Sequence, residues 1–202
     1  MNRQAAVFLL DCDKSGTEAI AALLRMEGIP VRTWNSSFEF LDAYDPSAPG
    51  CVVAEALMPE LNGLQVQREM RLRGCERPVV FVTDHGNIPL SVQCMKAGAV
   101  TLLTKPLDRA ELLAAILEAF ARDAALRADY RERQVIQQRV STLTPRETEV
   151  LKLVTRGLLN KQIAAELGTA EKTVKTHRGR VMHKMRVRSA VELAGLLWRS
   201  VG

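Results

Sequence analysis

The stretch LTPRETEVLKLVTRGLLNKQIAAELGTAEKTVKTHRGRVMHKM, residues 143–185, decides the architecture of the C-terminal part of the chain. Thr144-Pro145-Arg146-Glu147 predicts a helix start: a hydroxyl cap, a proline where no donor is missed, and a glutamate that reaches back to the cap. That helix runs to Arg156 and stops at Gly157. Asn160 is expected to cap a second short helix, Lys161–Leu167, ended by Gly168. Thr169 or Ala170 opens a third helix through Met185, and Ser189 caps a fourth to about Arg199. Two short helices around a glycine-containing turn, followed by a basic helix, predict a helix-turn-helix.

On the third helix Val174, Val181 and Met185 fall at i, i+7 and i+11 and form the expected buried stripe. The remaining faces carry Lys172, Thr173, Lys175, Thr176, His177, Gly179, Arg180, His183 and Lys184. Lysine and arginine neutralise phosphates and read guanine edges, threonine touches a phosphate or a thymine methyl, and Gly179 removes a side chain from the approach to a groove. A charged helix face is usually only solvated. Here capping, turn, charge and helix length agree, and they point to double-stranded DNA.

The charge distribution extends that reading outward. Residues 141–202 hold 12 Lys+Arg against 5 Asp+Glu, residues 122–140 hold 5 against 3, and residues 1–121 hold 11 against 15. Only the basic tail is built to meet a polyanion. Residues 122–140 lack Pro and Gly and carry Leu126, Tyr130, Val135 and Ile136 at loosely helical spacing. They read as a continuous helical linker, either a solvated spacer or a dimer-forming coil.

Residues 1–121 alternate short apolar runs with helical patterns. The strand-like runs are Ala5–Leu10, Val31–Trp34, Cys51–Ala54, Pro78–Thr83 and Val100–Leu103; between them lie Gly16–Glu27, Ser37–Tyr44, Leu64–Leu72, Pro89–Ala97 and Asp108–Ala121. Five βα units call for an α/β fold, a doubly wound parallel sheet, with chemistry at the carboxyl ends of its strands. The positions there are Asp11, Cys12, Asp13, Glu55, Thr83 and Lys105.

Other classes are excluded by composition. No apolar run reaches the roughly 18 residues of a membrane span. Met1-Asn2-Arg3-Gln4 leads straight into a strand without a cleavage pattern, and Cys12, Cys51, Cys75 and Cys94 lack zinc-finger or disulfide-scaffold spacing. A cytoplasmic protein without metal or other cofactor is expected.

Leu143 to Leu151, Asn160 to Gly168 and Thr173 to Met185 together resemble the LuxR-type helix-turn-helix over nearly all of residues 141–202. The resemblance implies that Lys175, Thr176 and position 179 face bases, with Lys172, Thr173, His177 and Lys184 on the backbone; Arg180 is a further candidate DNA contact on the same helix. It also implies that the fourth helix pairs two domains, a homodimer on an inverted repeat. Gly179 stands where some relatives have lysine, so their half-site does not carry over.

The front domain resembles receivers of the FixJ/NarL class, on Pro49-Gly-Cys-Val-Val, Met58-Pro-Glu-Leu-Asn-Gly-Leu, Thr83-Asp-His-Gly-Asn-Ile-Pro, Met95-Lys-Ala-Gly-Ala and Lys105-Pro. That resemblance implies a response regulator: acidic residues hold Mg²⁺, an aspartate takes phosphate from a histidine kinase, and a Thr and a Lys contact the phosphoryl oxygens. Asp11, Thr83 and Lys105 are retained, with Asp13 beside them. Cys12 replaces an acidic metal ligand, Glu55 replaces the phospho-acceptor, and Leu102 replaces the usual aromatic switch residue. A thiol is a poor partner for Mg²⁺. The added methylene of Glu moves the nucleophile by roughly 1–1.5 Å, and an error near 1 Å costs on the order of 10²-fold.

These departures predict a pseudo-receiver, not an enzyme, in which Glu55 pairs directly with Lys105 and partly stands in for a phosphoryl group. The plainer reading is a small structural polar site. The rival readings are a phosphorylation-competent receiver with a rearranged Mg²⁺ site, and a receiver controlled by a small ligand or a regulatory protein. Cys12 and the other three cysteines are expected to be packing residues, His85 no metal ligand, and Trp34, Phe38 and Phe40 packing aromatics.

Overall fold

The computed structural model describes residues 4–201, with side chains to residue 198. The reading of the chain's first residues as free of a leader falls largely outside them. The elements of the first unit run β1 (Ala6–Leu10), α1 (Lys14–Met26), β2 (Val31–Trp34), α2 (Ser37–Ala43), β3 (Gly50–Glu55), α3 (Gly63–Leu72), β4 (Val79–Thr83), α4 (Ile88–Lys96), β5 (Thr101–Thr104) and α5 (Arg109–Ser141). The strands are parallel in the order β2-β1-β3-β4-β5. Every expected element forms, with ends within two residues of the expectation, except that α5 runs on without a break through the expected helical linker to Ser141.

Strand alternation builds two cores from one sheet. Phe8, Leu10, Val52, Ala54, Val79 and Phe81 face α2, α3 and α4, where Phe40, Met70, Leu90 and Cys94 are buried. Val7, Leu9, Cys51, Val53, Val80 and Val82 face α1 and α5, where Leu24, Leu112 and Ile116 are buried. Both faces are covered, which is why β3 and β4 read as unbroken apolar runs. Trp34 stacks against Phe8 and meets Phe40 edge-on, whereas Phe38 is exposed. Cys51, Cys75 and Cys94 are buried as expected; Cys12 is exposed, a correction to its reading as filler.

The chain divides into two compact units, Met1–Arg127 and Ala128–Gly202. Helix α5 carries residues of both. Asp123, buried, accepts from the Gly50 backbone N–H and from Arg127 Nε, and Arg127 also donates to the Pro46, Ser47 and Ala48 carbonyls. These contacts fasten residues 122–127 to the first unit. Ile136, 1% exposed, belongs instead to the second unit's core, and Arg139 donates to the Met185 carbonyl. Leu126, Tyr130 and Val135 stay exposed.

The second unit adds α6 (Pro145–Thr155), α7 (Asn160–Glu166), α8 (Glu171–Met185) and α9 (Ala190–Val201). Thr144 and Glu147 form the expected capping box: Thr144 Oγ1 accepts from the Glu147 N–H, and Glu147 Oε2 accepts from the Thr144 N–H. Ser189 caps α9 through the Glu192 N–H. The expected cap of α7 is corrected: Asn160 is its first residue, and Leu159 precedes it without a side-chain cap. Gln162 Oε1 reaches back to the Leu159 N–H in compensation. Val174, Val181 and Met185 are fully buried, as the spacing requires.

Candidate functional sites: the receiver pocket and the exposed face of helix α8

At the carboxyl end of the sheet, β1 delivers Asp11, β3 Glu55, β4 Thr83 and β5 leads into Lys105. The Lys105 ammonium lies 2.7 Å from Asp11 Oδ2 and 2.9 Å from Glu55 Oε2, and 3.5 Å from exposed Asp84. Asp11, Glu55 and Thr83 are buried. Asp11 Oδ1 accepts from the Asp13 N–H, and Asp13 caps α1. Glu55 Oε1 accepts from the Leu57 N–H at 3.2 Å; its Oε2 meets Lys105 off the hydrogen-bond direction, so that contact is an ion pair and Oε2 accepts no hydrogen bond.

Burial opposes the charge on Lys105, but the contacts to Asp11 and Glu55 outweigh it and hold its pKa above the ordinary lysine range. Partial desolvation and then the Asp11 charge raise the Cys12 thiol, so the exposed sulfur is held away from its thiolate. Leu102 is half-buried against the α2–α4 side of the sheet.

In the second unit, Lys172, Thr173, Lys175, Thr176, Gly179 and Arg180 are all exposed on α8, opposite its buried stripe. Thr176 Oγ1 donates to the Lys172 carbonyl at 3.1 Å. His177 is half-buried, with Nδ1 enclosed and unpartnered. Lys184 is placed differently from the expectation. Its ammonium is 2.6 Å from buried Glu147 and donates to the Thr142 carbonyl, so it braces α6 against α8. Sequence reasoning also passed over Arg178, which donates to Asn160 Oδ1 and ties α7 to α8. Neither partner has a local signal, because 18 or more residues separate each pair.

Similarity to known proteins covers both units. Residues 7–117 match the response regulator receiver domain model, and residues 141–197 match the model for bacterial regulatory proteins of the luxR family. This chain belongs to the response regulators. The response regulator protein TodT of Pseudomonas putida is 40% identical over 192 residues, 95% of this chain and 85% of that protein. Nodulation protein W of Bradyrhizobium diazoefficiens is 42% identical over 190 residues, 94% of this chain and 84% of that one. The solved structure of response regulator StyR superposes with a TM-score of 0.84 at 40% identity, covering 97% of this chain and 99% of that one. The protein is thus a two-component response regulator with a LuxR-type DNA-binding domain, a regulator of transcription rather than an enzyme. Among the described residues, no helix is long and apolar enough to cross a membrane.

The Mg²⁺ that this response regulator's family implies does not fit the residues present. Both buried carboxylates are already turned onto the Lys105 ammonium. The neighbouring side chain at the expected ligand position is an exposed, protonated thiol, a soft donor for a hard ion.

Proposed function

We propose that this response regulator binds a specific double-stranded DNA sequence without depending on aspartyl phosphorylation. The observation that carries the reading is the Lys105 ammonium held between the buried carboxylates of Asp11 and Glu55. Lysine supplies the positive charge that two buried carboxylates need, and the longer Glu55 side chain closes the gap a phosphoryl group would bridge. The receiver then rests in one charge-balanced state. A histidine kinase or other regulatory protein acting on it would work through surface contact rather than phosphate transfer.

On DNA, Lys172, Thr173, Arg180 and the exposed face of His177 lie along the phosphates, while Lys175, Thr176 and Gly179 face base edges. Two copies pair through α9 on an inverted repeat, in the cytoplasm. Val191 and Trp198, one heptad apart on α9, are each more than four-fifths exposed, an apolar face of the kind a second copy covers.

The test is genomic occupancy of the full chain against Glu55→Ala. Loss of occupancy at specific sites, with the second unit still folded, is the expected result. Unchanged occupancy would reduce Glu55 to a structural group and remove the receiver from the account.

A further inference from the structure

The exposed face of α8 is not uniformly basic. With about 100° between successive residues, the line opposite Val174, Val181 and Met185 runs Lys172, Thr176, Gly179, His183, with Lys175 on one flank and Arg180 on the other. The middle of that line, Thr176 and Gly179, carries no charge.

Two observations define its chemistry. The Thr176 hydroxyl is spent inside the helix on the Lys172 carbonyl, which leaves the γ-methyl as the group offered outward. One turn on, Gly179 is exposed, lacks a positive φ, and has nothing within 4 Å of where a Cβ would stand. Neither backbone conformation nor packing inside the domain asks for glycine there, and glycine is the least favourable residue after proline within a helix. The fold tolerates it for a reason outside the fold.

We propose that Thr176 and Gly179 form a methyl-sized apolar notch at the centre of the DNA-facing side of α8, and that it reads the C5-methyl of a thymine. The proposal rests on the reading of α8 as the groove-entering helix. Bare backbone at Gly179 lets the helix axis approach the base edges. The Thr176 methyl supplies the apolar contact, the usual means of recognising thymine in the major groove. Lys175 and Arg180, on either flank, meet phosphates or guanines and hold the notch in register.

The experiment uses the full chain and a site selected from random duplex DNA, with each thymine replaced in turn by deoxyuridine, which lacks only the methyl. One position in each half-site is expected to lose about three- to tenfold in affinity on replacement, the scale of one buried methyl. Thr176→Ser keeps the hydroxyl and removes the methyl, so it should bind the thymine and uracil versions of that site equally. Thr176→Val keeps the methyl and removes the hydroxyl, so it should still distinguish them. Gly179→Gln fills the notch and should erase the distinction. If no thymine is sensitive, or if Thr176→Ser still discriminates, the notch is overturned while α8 remains the reading helix. If selection enriches no sequence at all, the groove assignment itself falls, and the notch with it.

Discussion

Replacing Lys105 by methionine is expected to destabilise the first unit by roughly 3–5 kcal/mol, the cost of removing one partner from a buried ion pair. The size follows from what remains. Asp11 is 1% exposed and Glu55 4% exposed, and without the ammonium two enclosed carboxylates face one another. Glu55→Gln in the same chain should recover part of the loss, giving a coupling that a double-mutant cycle reads directly. In the parent protein the sign of the pH dependence is set by Lys105, whose pKa is raised on folding. Its contribution is fully present below the unfolded value near 10.4 and is lost only as pH rises above that. Denaturant unfolding in a Trp198→Phe background isolates Trp34, which lies in the first unit's core. A shift in midpoint below about 1 kcal/mol would mean that the pair is solvated and sets nothing.

Lys175→Ala is expected to weaken binding to a selected site by about 1–3 kcal/mol per domain and to relax preference at one base position. Lys175 is exposed, on the flank of the α8 surface, and among the described residues no ion pair holds it in the way Glu147 holds Lys184. Random DNA should lose much less, because most of its binding is phosphate neutralisation shared among several cations. Competition binding against both duplexes separates the two effects. Equal losses on both would return Lys175 to the phosphates.

Much of this architecture was legible because it rests on local rules. Thr144 to Glu147 carries a cap and its reciprocal glutamate within one turn, and both hydrogen bonds form. The sheet was legible from its apolar runs, since strands covered on both faces leave no alternation to misread. Glu55 and Lys105 were placed together by their positions at the carboxyl ends of parallel strands and by the resemblance to receivers, which brings the acceptor position and its lysine near each other. The departures are long-range. Asn160 has the right chemistry for a cap, yet Arg178 engages its side chain and the helix begins one residue early. Lys184 resembles any other cation of a basic helix, and only folding brings it to Glu147. The interior of α5 shows no break in sequence, although Asp123 and Arg127 grip one unit while Ile136 packs in the other. Cys12 looked like core beside a strand, but the turn into α1 leaves it outward.

The central claim is that the receiver pocket, balanced by Lys105, neither takes up phosphate nor needs it. The most direct measurement is intact mass and operator affinity of the full chain, before and after incubation with a small phosphodonor and Mg²⁺. The account predicts no acid-labile mass increase and the same affinity in both states. An acid-labile phosphoryl adduct on the first unit, accompanied by tighter operator binding, would contradict it.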